Sequence, residues 1–196
     1  MFKAAYTEAF PEASARVDWD AWLYAPGLPP VENTFDGSRR ADARDLAVRW
    51  HTADPLGMGG AGAYADKFSS ADIASFSSDM LIAFLEELVA LRGMQALSLD
   101  AVRALEAAYE LDARKNSEVR LLWIRLRVGA GDEGAIPMAV AFVKAAGRMK
   151  FLRPTYRSLL RRGGAFEAAA RATFEEARPS YHPIASKMVA QDLGIE

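Results

Sequence analysis

Arg148, Lys150 and Arg153 crowd into the short stretch GRMKFLRP, between two apolar helical patterns. Arginine offers a planar fork of donors that matches a carboxylate, and lysine adds a mobile point charge. Gly147 suits the left-handed position that ends a helix. Pro154 suits the first turn of the next one. Over an extended linker Arg148 and Lys150 project to one side and Met149 to the other. Two cations then stand together near the positive end of a helix, where an anion is favoured. The same residues also make an ordinary solvated turn, and the local sequence leaves both readings open.

Other chemistries find little support. The chain has two histidines, His51 and His182, and no cysteine. Without cysteine there is no disulfide and no thiolate metal site. Without an HExxH motif the helical two-histidine zinc site is absent, so neither a catalytic residue nor a metal ligand is assigned within this chain. His182 precedes Pro183 and His51 ends a helical pattern, contexts that suit capping or solvated side chains. GMGGAG, residues 57–62, has glycines that suggest a phosphate loop. No β-branched strand precedes it and no Lys-Ser/Thr follows, so it reads as a flexible loop.

The net charge of −2 gives no excess of cations for nucleic acid or a membrane surface. The hydrophobic fraction of 51% and the charged fraction of 26% are those of a globular protein. No apolar run is long enough to span a bilayer, and MFKAAYTEAFPEAS lacks the apolar core of a signal peptide. These features point to the cytoplasm.

The elements that would hold the basic turn are helical throughout. A segment over 1–38 is rich in aromatics and proline: Trp19, Trp22 and Tyr24 precede PGLPP, which forces an extended exit. Its bulky rings are expected to bury themselves as an anchor on the body, over 39–196. In that body the apolar residues recur at i, i+3, i+4 and i+7. Leu81, Phe84, Leu85 and Leu88 follow a cap at Ser77 or Ser78, and Val102, Leu105 and Tyr109 follow Ser98. Val119, Leu122, Trp123 and Leu126 repeat the spacing, as do Ile136, Ala139, Val140 and Val143. Pro137 is tolerable in a first turn. Seven or eight amphipathic helices joined by short turns predict an all-α fold, an armadillo/HEAT-like superhelix of antiparallel helix pairs. A closed helical bundle is the alternative.

VDWDAWLYAPGLPP, NSEVRLLWIRL, AIPMAVAFV, GRMKFLRP and HPIASKMVAQDLG, in that order, resemble the C-terminal domain of leukotriene A4 hydrolase and aminopeptidase B-type zinc aminopeptidases. The resemblance runs from Val17 to the C-terminus. It implies an all-helical domain that forms one wall of a substrate cleft and is non-catalytic alone. It implies a partner, a zinc-peptidase catalytic domain on the same or a separate chain, which holds the zinc and the catalytic residues. It also implies that Arg148 and Lys150 receive the carboxylate of a peptide or fatty-acid substrate. The loop DPLGMGGAGAYADKF departs from the family pattern, being longer and richer in glycine. The alternative is a free-standing α-solenoid that holds a protein partner.

Overall fold

The computed structural model describes residues 1–31, 37–64, 66–93 and 95–195, and every regular element among them is helical. The chain divides into two compact units, Met1–Gly37 and Ser38–Glu196.

Among the described residues the first unit holds three short helices: α1 (Phe2–Ala9), α2 (Pro11–Ser14) and α3 (Trp19–Leu23). Trp19 organises it. Its indole N–H reaches the Ser14 carbonyl and hydroxyl, and its ring meets Phe2 and Tyr6 edge-on. Asp18 caps α3 by accepting from the Ala21 N–H. The expectation that all three rings bury themselves does not hold. Trp22 is 48% exposed and Tyr24 77%, because α3 is little more than one turn and has only one face to hide.

Among the described residues the second unit holds eight longer helices: α4 (Ser38–Ala53), α5 (Ser78–Leu91), α6 (Leu99–Tyr109), α7 (Ser117–Ala130), α8 (Ile136–Ala145), α9 (Met149–Arg162), α10 (Gly164–Ala177) and α11 (Pro183–Leu193). The caps are those the sequence suggests. Ser77 accepts from the Met80 N–H and Ser98 from the Ala101 N–H, and His182 Nδ1 accepts from the Ile184 N–H. Within the unit α4, α5, α7, α9 and α11 pack in succession, each on the next. Helices α6, α8 and α10 pack between them as the alternate members. This is the neighbour-to-neighbour order of stacked helix pairs.

Two apolar cores result, and α7 serves both. Val119, Leu122, Trp123 and Leu126 join Trp50, Phe84, Leu88 and Tyr109 in the first. Leu121, Ile124 and Val128, on the other side of α7, join Phe142, Leu152, Tyr156 and Phe174 in the second. A helix that is apolar on two faces must be covered on both. That fixes α7 between α5 and α9, and so sets where the N-terminus of α9 emerges.

Candidate functional site

Helix α8 ends at Ala145, and Ala146 is already extended (φ −99°, ψ 121°). Gly147 is not left-handed, contrary to expectation, since the extended Ala146 redirects the chain by itself. The basic linker is also shorter than expected. Arg148 is the N-cap of α9 with extended backbone (φ −87°, ψ 127°), and Met149 and Lys150 are already in its first turn. The alternation of an extended strand therefore does not apply to the two cations, which stand two positions apart at the start of a helix. Pro154 lies inside α9 rather than in its first turn. It has no N–H to give the Lys150 carbonyl. Leu152, Tyr156 and Leu159, buried in the second core, hold the helix together across it.

The N-terminus of α9 has no side-chain cap. The Phe151 and Leu152 N–H groups both reach the Arg148 carbonyl, and those of Met149 and Lys150 have no intrahelical acceptor. The turn thus presents free N–H groups, the positive end of the helix dipole, and the Arg148 guanidinium. Arg148 is exposed, and among the described residues its side chain has no ion pair or hydrogen bond. Lys150 is different: its ammonium bonds Glu118 in the first turn of α7 at 2.5 Å.

The other cations of α9 separate into two groups. Arg153 and Arg157 both bind Asp192 of α11, at 2.7 Å each. The hydrogen bond from Arg153, then that from Arg157, outweigh burial and hold the Asp192 carboxyl below the usual carboxylate range. These two arginines are structural clamps. Arg161 and Arg162 in the last turn have no such partner among the described residues.

Asp54, which the sequence reading passes over, is the most elaborately held group. It is fully buried and accepts from the Gly59 N–H and the Tyr64 hydroxyl on one oxygen, and from the Ser98 N–H and Arg92 on the other. Burial raises its carboxyl, but these hydrogen bonds prevail and hold it low. Burial, with Asp54 beside it, pushes the Tyr64 phenol up to about 12. The loop over 54–64 contains 3-10 turns and bonds a carboxylate through Gly59 and Tyr64. An acidic residue immediately before a glycine-rich run was the available signal. Among the described residues no cluster of three or more His, Cys, Asp or Glu could hold a metal ion. No helix among them is long and apolar enough to cross a membrane.

Comparison with known proteins places these features in context. A family model described as leukotriene A4 hydrolase, C-terminal, matches residues 76–193. The chain is 36% identical over 180 residues to leukotriene A-4 hydrolase of Xenopus laevis, covering 92% of this chain and 28% of that protein. It is 36% identical over 177 residues to leucine aminopeptidase 2 of Aspergillus niger, covering 90% of this chain and 26% of that protein. The solved structure of native yeast LTA4 hydrolase superimposes with a TM-score of 0.79 at 29% identity, covering 99% of this chain and 32% of that one. The chain thus spans less than a third of the relatives it matches.

Proposed function

The chain belongs to the leukotriene A4 hydrolase C-terminal family, and from that premise we propose that it is the helical domain of a zinc aminopeptidase or epoxide hydrolase, with Arg148 as its carboxylate anchor. On this reading the domain is non-catalytic alone and forms one wall of the substrate cleft. The zinc and the reacting groups belong to a metallopeptidase domain outside this chain, and the whole works in the cytoplasm.

The observation that carries the reading is the state of Arg148. Among the described residues it is an unpaired guanidinium, at the N-cap of an uncapped 14-residue helix, while other cations of the same helix are clamped to Asp192. A carboxylate there receives a bidentate fork and the dipole of α9 together. Lys150 adds charge but shares it with Glu118.

The test uses the enzyme that contains this domain together with its metallopeptidase domain. Arg148→Ala should lower kcat/KM for a peptide with a free C-terminal carboxylate by on the order of 2–5 kcal/mol of transition-state stabilisation. Arg148→Lys should be nearly as damaging, because an ammonium lacks the fork. The same peptide amidated at its C-terminus should lose far less. Equal losses for acid and amide would overturn the assignment.

A further inference from the structure

A second group of cations, Arg161 and Arg162, lies at the other end of α9, about 20 Å from Arg148 at 1.5 Å rise per residue. A cavity of about 280 Å³ opens there between the C-terminal ends of α5, α7 and α9. Four arginines line it: Arg92, Arg125, Arg161 and Arg162. Among the described residues no aspartate or glutamate does.

Arg92 is the informative member. Its side chain is only 3% exposed, and its Nη2 donates to Asp54 and to the carbonyls of Asp54 and His51. Its Nε and Nη1 are buried with no partner. A buried guanidinium with two idle donors is costly, because burial removes water without replacing its hydrogen bonds. Arg125 repeats the oddity from α7. It sits half-buried within the apolar run LLWIRLRV, and its side chain makes no ion pair or hydrogen bond among the described residues. Burial, and then the charge of Arg161, push its guanidinium below the usual range. Arg162 lies over Gly131, where its guanidinium fills the space a Cβ would need. Cations in the last turn of a helix are ordinary by themselves. A buried Arg92 and a half-buried Arg125, contributed by two other helices, are not explained by that.

We propose that this cavity is an oxyanion site for a small molecule bearing a phosphate or paired carboxylates, with Arg92 at its base and Arg125 and Arg161 as its walls. Such a ligand answers the guanidiniums of Arg125 and Arg161 and cancels the repulsion between them. Guanidinium forks suit phosphate and carboxylate oxygens alike. The Ser158 hydroxyl and the Gln95 amide supply neutral donors at the rim. The volume is at the low end for small-molecule sites, so the ligand is compact. The site stands whether or not Arg148 receives a carboxylate.

The experiment titrates the 196-residue chain with pyrophosphate and, separately, with citrate, at constant ionic strength balanced by sodium chloride. Calorimetry should show saturable binding of at least one of the two anions, and which one binds identifies the ligand class. Arg125→Gln/Arg161→Gln should weaken binding at least tenfold. The control pair Arg103→Gln/Arg171→Gln, which removes the same charge elsewhere, should change it less than twofold. Among the described residues neither Arg125 nor Arg161 has a partner, so the double variant should fold, and without anion it should melt no lower than wild type. Absence of saturable binding by both anions, or equal weakening in the cavity and control pairs, would overturn the site.

Discussion

Lys150 Nζ stands 2.5 Å from Glu118 Oε1 and so ties the first turn of α9 to the first turn of α7. The pair is partly exposed, with side-chain exposures of 51% and 29%, so its worth to stability is below about 1 kcal/mol. Its consequence is electrostatic. A carboxylate approaching Arg148 meets a lysine whose charge is already half answered, and a glutamate that repels it.

Glu118→Gln should therefore raise kcat/KM for free-acid substrates in the assembled enzyme by roughly two- to fivefold, about 0.5–1 kcal/mol. The amidated substrate should be unaffected. An equal change for acid and amide would mean that Lys150 never faces the carboxylate.

Acid should unfold the second unit through a few identifiable groups. Asp54, Asp72 and Asp192 are each held below the ordinary aspartate value of 3.8. For Asp72 burial raises the carboxyl, but the Ser69 N–H, Arg49 and Tyr109 outweigh it. A carboxyl with a depressed folded pKa stabilises the fold fully above its unfolded value and loses that contribution as pH falls through the folded one. Glu106 has the opposite sign, since burial raises it, and it partly offsets the loss as it takes up its proton. Urea midpoints should hold nearly constant from pH 7 to 5 and drop below about pH 4. Asp54→Ala should cost about 3–5 kcal/mol at pH 7, because it leaves Arg92 buried without its counter-charge. A midpoint that does not move between pH 5 and pH 3 would contradict the picture.

The helices were legible because their signals are local. Ser77 and Ser98 cap where their sequence positions suggest, and Leu81, Phe84, Leu85 and Leu88 are all buried. The start of α9 was less so: no Ser, Thr, Asp or Asn precedes it, and Pro154 invites a later beginning. Asp54 had a local signal in its place before the glycine-rich run, but its pairing was not legible, because Arg92 and Ser98 lie 38 and 44 residues away. The expected role of Arg148 came from the family pattern, whereas the pairing of Lys150 with Glu118 depends on α7 and α9 being neighbours.

The two most informative tryptophans should behave oppositely. Trp50 is fully buried, stacks on Phe68 and Tyr64, and donates to the Tyr109 hydroxyl at 2.9 Å. Trp50→Ala should cost about 3–5 kcal/mol. Trp22 is half exposed, and Trp22→Ala should stay within about 1 kcal/mol of wild type. Thermal melts of both variants decide this. A large drop for Trp22→Ala would show that its ring is covered.

The glycine-rich loop offers the sharpest test of the Asp54 arrangement. A Cβ on Gly59 would overlap the Tyr64 hydroxyl and stand 2.8 Å from Asp54 Oδ1, whereas one on Gly60 would meet nothing within 4 Å. Neither residue has a left-handed backbone, so the contrast is purely of space. Gly59→Ala must push Tyr64 away from the carboxylate or shift the Gly59 N–H that also binds it. Overpacking of this kind costs about 1–3 kcal/mol. Gly60→Ala should be neutral within about 0.5 kcal/mol. Denaturant melts of the two variants separate the readings. If both alanines cost the same, the loop gives way freely and Asp54 does not depend on it. If only Gly59→Ala is destabilising, the glycine is there to let the backbone reach a buried carboxylate.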